Sequence, residues 1–303
     1  MPLWILATVF AAFFQNARFM LQRHLKATQL STGGATFARF LFGAPLAALG
    51  LALYAWITQE TIPALSPKFW AFAAAGGVSQ IVATGFVVAL LAQRNFTVGI
   101  ALKKSEVILT ALVGLVLLGE GLAPLGIIGV AIGFVGVILL SDPPKSASKL
   151  PWRKRIFNAA SGYGLGSGLL FGISATGYRG ATLELASSDP IFRALVTLAI
   201  VTALQTLAMS LYLRWREGGE ITRVLASWRI SSLVGLTSIL GSFGWFTAFA
   251  VQNAGLVKAL GQVELIFTFL GSYFIFKERS STRELIGIAL LVVSILAIIA
   301  AGR

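Results

Sequence analysis

The sequence has no cysteine, a single histidine (His24), and only 12% charged residues among its 303, with eleven acidic side chains against 24 Lys and Arg. The missing cysteines exclude disulfides, thiolate metal sites and thiol catalysis. One histidine, beside Arg23 and close to Lys26, gives no basis for a histidine zinc site or a His-dependent triad. No metal and no cofactor is therefore expected, and without clustered His, Asp or Cys neither is an enzyme. Charge is scarce as well. Soluble domains carry about 25% charged residues, so a globular core under an ordinary polar surface is excluded.

What the chain has is apolar length. Hydrophobic residues make up 57%, and the formal charge is +13, with a mean hydropathy of +0.85 and a pI near 10.6. A basic pI often marks a nucleic-acid binder, which gathers its charge on one solvated face. Here the basic residues punctuate apolar runs, so no nucleic-acid partner is expected. A bilayer core of about 30 Å takes roughly 20 apolar helical residues. Runs of this kind recur at about 3–20, 33–57, 69–92, 98–118, 122–140, 157–178, 190–213, 230–250, 257–276 and 285–301. The first lacks a basic n-region and an A-x-A site, so it reads as a helix rather than a signal peptide. Trp4, Trp56, Trp70, Trp152, Trp215 and Trp228 fall near span ends, at the headgroup level that Trp favours, whereas Trp245 lies inside the eighth span.

The segment SDPPKSASKLPWRKRI, residues 141–156, is the one clear linker. It separates a first unit, 1–140, from a second, 157–303. An offset of 158 residues aligns the two: Ile81 with Ile239, Asn95 with Asn253, Ala101 and Leu102 with Ala259 and Leu260, Glu106 with Glu264, Thr110 with Thr268, Glu120 with Glu278, and Gly129 with Gly287. Apolar composition does not readily produce two glutamates matched at the same spacing. Five spans per repeat require the second to enter the membrane from the opposite side. The expected fold is therefore an all-α polytopic membrane protein, ten transmembrane helices as two inverted five-helix repeats around a central cavity, an architecture typical of alternating-access transporters.

Fifteen of the 24 basic residues fall in odd-numbered loops, and only Lys68, Arg179 and Arg303 in even-numbered loops or the tail. The positive-inside rule then places the odd loops in the cytoplasm, facing anionic lipid headgroups, and both termini outside. A bacterial cytoplasmic membrane is the expected location.

Ionisable side chains inside a bilayer face cavities or partners. Arg18, Arg193 and Lys258 read first as snorkelling to the interface, and Arg39, deeper, as pairing across the bundle. Lys103 precedes Glu106 by three residues, close enough for a local ion pair. Glu264 has no cation at the corresponding positions, which makes it the better candidate for proton coupling, against a structural role linking the repeats. Gln15, Asn16, Gln80, Thr84 and Gln262 are mid-span polar groups that either join helices or line a wet cavity. Tyr178, Tyr163 and Trp245 could supply its apolar wall or a cation–π contact. Gly126, Gly129, Gly133 and Gly136 form one small-residue stripe for helix packing. Residues 162–172, GYGLGSGLLFG, lack the GxGxxG spacing and read as a thin or bendable helix. Glu120 is expected at the start of the fifth span, and Glu278 at the start of the tenth, facing the positive end of the helix dipole.

The segments RNFTVGIALKKSEVILTALVGLVLLGE and QNAGLVKALGQVELIFTFLGSYFIFKE, with LLGEGLAP and IFKERSST closing the fourth span of each half, resemble the EamA-type, ten-helix branch of the drug/metabolite transporter (DMT) superfamily over essentially the whole chain. The resemblance implies export of amino acids or similar metabolites, as in exporters of the YddG type, with sugar-phosphate and nucleotide-sugar carriers more distant. It also implies cytoplasmic termini, the reverse of the charge count. On this reading Gln15, Asn16, Gln80, Thr84, Tyr178, Trp245 and Gln262 line the substrate cavity. Lys104 or Arg18 takes a carboxylate, Glu264 takes an ammonium, and Lys103, Glu106 and Glu264 are coupling or structural charges, with protons as a possible partner. Two rival readings are a proton-coupled exporter of lipophilic cations and a membrane scaffold or enzyme.

Overall fold

Within hydrocarbon every backbone polar group must find its partner inside the protein, and a helix does this segment by segment. The computed structural model describes residues 2–28, 30–91, 103–140, 159–267 and 282–302, and no strand occurs among them. The principal helices are α1 (Leu3–Thr28), α2 (Thr32–Leu41), α3 (Gly43–Thr58), α4 (Pro67–Leu91), α5 (Glu106–Leu118), α6 (Pro124–Leu140), α7 (Ala159–Leu183), α8 (Pro190–Arg216), α9 (Glu220–Ala226), α10 (Trp228–Val251), α11 (Ala254–Leu260) and α12 (Thr282–Ala301). Among the described residues, five stretches are long and apolar enough to cross a membrane: Leu3–Gln22, Thr32–Thr58, Pro67–Leu90, Pro190–Arg216 and Trp228–Val251. Val116, Leu211 and Leu296 are among many large apolar side chains turned outward. In water such a belt would drive association; in a bilayer it meets lipid. The fold is an all-α, multi-pass membrane fold.

The second expected span is two helices, α2 and α3, meeting at Phe42, whose amide still reaches Ala38 O. The linker 141–156, Trp152, Asn95, Ala101, Leu102, Thr268 and Glu278 lie outside the described residues. Turns between helices meet at the two ends of the bundle. At one end Ser66 bonds Glu184 at 2.9 Å and Tyr54 bonds Asp189 at 2.6 Å. At the other, Ser31 donates its hydroxyl to Glu217 and its amide to Glu220. Asp189 also caps α8, accepting from the amides of Ile191 and Phe192 ahead of Pro190. Burial pushes its carboxyl up, but these hydrogen bonds and the charge of Arg193 outweigh it and hold the group below the usual carboxylate range.

The most extensive helix pairings are α4 with α7, α6 with α12, and α1 with α10. The 158-residue offset exchanges the first pair with the third and maps the second onto itself. Glycines set how closely these pairs approach. The α6 stripe packs on α12 as expected: Ser294 donates to Gly129 O at 2.6 Å, and a Cβ at Gly136 would stand 2.9 Å from Gly287 O and 3.3 Å from Leu291 N. Backbone cannot swing aside, so Gly136→Val should cost about 1–3 kcal/mol. Thermal unfolding of the detergent-purified variant checks this, and an unchanged midpoint would contradict the packing.

Four tryptophans, Trp56, Trp70, Trp215 and Trp228, are exposed near helix ends as expected. Trp4 departs from the expectation: it is buried, because the end of α12 closes over the start of α1 and brings Gly302 against its ring. Glu120 departs as well. The α6 helix begins only at Pro124 with no acid in its first turn, and Glu120 sits in the preceding loop.

Candidate functional site

Among the described residues, turns stand beside two helices of the bundle interior. A turn at Lys104 and Ser105 precedes α5, and a turn at Gly261 and Gln262 follows α11 before the helix resumes at residues 263–267. The offset of 158 carries Lys104 onto Gln262, so the two turns overlap at that position. Both are tightened by bonds spanning three residues, Val107 N to Lys104 O in the first and Gln262 N to Ala259 O and Glu264 N to Gly261 O in the second. The first turn lies against the glycine-rich face of α7. A Cβ at Gly168 would be 3.0 Å from Lys103 O and one at Gly172 3.1 Å from Thr110 N, so only a thin helix admits the segment this closely. This is the role expected of the glycine run.

The turns set two crossed ion pairs. Lys104, from the first half, pairs with Glu264 of the second. Lys258, from the second, reaches Glu106 of the first at 2.9 Å. Glu106 also keeps the expected local partner, Lys103, at 3.3 Å. Gln15 Nε2 adds a hydrogen bond to Glu264 at 3.1 Å. Two expectations are thereby corrected. Lys258 does not snorkel; it is buried and turned to a counter-ion across the bundle. Glu264 does not lack a cation, because its cation comes from the other half rather than from its own helix, and the argument for it as the better proton carrier loses its premise.

Beside this lattice lies a cavity of about 460 Å³, open space at its mouth included. Of the residues expected to line it, Gln15, Arg18, Gln80, Tyr178 and Trp245 do so. Lys104 and Gln262 instead border a smaller void against α6 and α12, and Asn16 is not among the lining residues of either. Thr84 stands behind the wall, donating nothing to the cavity but accepting from Arg39 Nη1 at 3.0 Å. Tyr163 packs on Phe86 with ring centroids 5.5 Å apart, away from the cavity.

Arg39 is the residue the sequence undervalued. It crosses the bundle as expected, but its partners are hydroxyls: Nε donates to Ser238 at 3.0 Å and Nη2 to Ser242 at 3.4 Å, besides Thr84. Arg18 is likewise buried, against the snorkelling expectation. Its guanidinium lies 4.3 Å from the Phe19 ring centroid, and its Nε has no hydrogen-bond partner among the described residues. Arg193, by contrast, is at an end of the bundle and donates to Ala250 O at 3.1 Å.

Aromatic rings make the remaining wall. Tyr178 stacks on Phe246 at 4.3 Å, and Trp245 on Phe249 at 5.9 Å. Their polar edges are satisfied: Trp245 Nε1 donates to Gln15 Oε1 at 3.1 Å, and Tyr178 OH to Gln80 Oε1 at 2.9 Å. Gln205, which no motif announced, closes this network by donating to Gln80, Tyr178 and Gly77 O. Lys258 Nζ sits 4.5 Å from the Trp245 ring centroid, a cation–π contact.

The fold and cavity define a class, a multi-pass helical membrane protein with a polar, cationic chamber at its centre. Residues 2–142 match the EamA-like transporter family. No curated protein matches the chain. A solved structure described only as the crystal structure of a protein is similar with a TM-score of 0.68, at 15% identity, over 98% of this chain and 97% of that one. That likeness concerns the fold. The family match points to movement of small molecules across a membrane.

Proposed function

We propose that the chain is a transporter of the EamA type that moves small polar metabolites through the central cavity, by alternating access between two inverted five-helix repeats. The observation that carries the proposal is the chamber itself: a cavity walled by buried polar and charged side chains from both halves, beside two turns that overlap under the repeat offset. Amino acids and related metabolites, moved outward, are the cargo and direction that the resemblance suggests. Lipophilic cations are disfavoured, because the charged groups on the wall are Arg18, Arg39 and Lys258.

The absence of cysteine permits a direct test. Ala175 on α7 lines the cavity, and Ala175→Cys introduces the chain's one thiol. In proteoliposomes of known orientation, a membrane-impermeant maleimide should label it from either face, with cargo shifting the ratio. Labelling from a single face under every condition would sink alternating access.

A further inference from the structure

Resting on the transporter reading, we propose that the cavity takes a small organic anion, a carboxylate or comparable oxyanion on a flat apolar body, in preference to a zwitterion or a cation.

The chemistry of the wall leads there. Among the described residues no Asp or Glu lines the cavity, while Arg18, Arg39 and Lys258 do. Around the chamber, among the described residues, the buried cations Arg18, Arg39, Lys103, Lys104 and Lys258 face the carboxylates Glu106 and Glu264. Both carboxylates are already committed to lysines. Among the described residues neither arginine forms an ion pair with a carboxylate, although the Glu264 charge acts on Arg18 from a distance, and they retain only 4% and 3% of their surface. Taking an ion out of water is costly unless a counter-charge replaces the solvent. Arg39 has three neutral hydroxyl partners, and the Arg18 Nε has none among the described residues. A planar guanidinium binds carboxylate and phosphate through paired N–H donors, so an arriving oxyanion supplies the missing charge.

The other end of an amino acid finds no host. An ammonium would need a carboxylate or an aromatic face. The described lining offers no carboxylate, and the Trp245 face is already occupied by Lys258 at 4.5 Å. The stacked pairs Tyr178 with Phe246 and Trp245 with Phe249 suit a flat apolar body instead. Glu264 as the ammonium site, expected from the sequence, is displaced by its pairing with Lys104.

A series with one body and varied charge tests this on the purified full-length protein: hydrocinnamate, phenyl phosphate, hydrocinnamamide, phenylalanine and phenethylammonium at neutral pH, read by thermal shift and by competition for proteoliposome uptake. One or both anions should bind at least about tenfold more tightly than phenylalanine, with the amide weaker and the ammonium without effect. Hydrocinnamate against phenyl phosphate decides between carboxylate and phosphate as the oxyanion. Arg39→Gln should reduce anion affinity about tenfold, with Arg39→Lys intermediate, since a lysine keeps the charge but loses the paired geometry. If these variants do not fold, the ranking on the wild-type protein still decides. Equal or tighter binding of phenylalanine or phenethylammonium overturns the inference, as does a series in which no member binds. In either case two-sided labelling of Ala175→Cys would leave the transporter reading standing, whereas its loss would remove that reading instead.

Discussion

Glu106→Gln is expected to destabilise the protein by about 3–5 kcal/mol, the cost of stripping one partner from a buried ion pair. The arithmetic of charge sets the size. Glu106 serves two ammonium groups, Lys103 from its own turn and Lys258 from the other half, with side chains only 6–8% exposed. Removing its charge leaves both cations buried beside each other. Glu264→Gln strips Lys104 of its ion-pair partner, with Gln15 nearby to solvate it, so this variant should lose less. Thermal unfolding in detergent gives the ranking. Adding Lys258→Met to Glu106→Gln should recover part of the loss, because the second change removes one of the two stranded cations. A double-mutant cycle isolates this coupling, and strictly additive losses would show that the crossed pair does not bind the halves together.

The same variant bears on proton coupling. Expected from the sequence as a carrier without a local cation, Glu264 is instead the acceptor in an interhalf pair. Transport by Glu264→Gln should consequently keep the pH profile of the wild type while losing rate. A profile flattened by the substitution would restore the coupling role.

These residues also show what a sequence displays and what it hides. The five long apolar spans and the α6 stripe were legible because each depends on local period or composition. The Lys103–Glu106 pair was legible for the same reason, three residues apart on one turn. The Lys104–Glu264 and Lys258–Glu106 pairs were not, since their partners are 160 and 152 positions apart. They depend on two turns coming together, and one of these is made possible by glycines on a third helix. Lys258 looked like a snorkelling lysine because its own helix offers no acid in reach. Arg39 was visible as a deep charge, but its hosts, Thr84, Ser238 and Ser242, come from α4 and α10. A hydroxyl scattered along an apolar helix carries no mark of the arginine it will solvate. Five cavity residues were nonetheless foreseen, Gln15, Arg18, Gln80, Tyr178 and Trp245, because polar or aromatic groups in mid-span have few other uses.

Glu120→Ala is expected to open the cavity toward the end of the bundle that holds α7's last turn. Arg179 there is held by a cluster of strong hydrogen bonds: Nε lies 2.8 and 2.6 Å from the two Glu120 oxygens, and Nη2 2.6 Å from Oε1. Its Nη1 donates to Phe249 O and Gln252 O, both at 2.7 Å. One guanidinium thus ties α7 to the loop before α6 and to the end of α10, the helix whose Trp245 and Phe249 line the cavity. Asn253 Nδ2 reaches Glu120 O at 3.4 Å and draws in the start of α11. Charge-assisted bonds contribute about 1.5–3 kcal/mol each, discounted here because Glu120 keeps 22% of its side-chain surface. A net bias of about 1.4 kcal/mol shifts a two-state ratio tenfold. Impermeant labelling of Ala175→Cys should rise about tenfold from the Arg179 end and fall from the opposite end, the reciprocal change that two exclusive states require. Labelling that rises from both ends would mean that the clamp only stabilises the fold. An unchanged ratio would place the barrier elsewhere, in the aromatic wall beneath it.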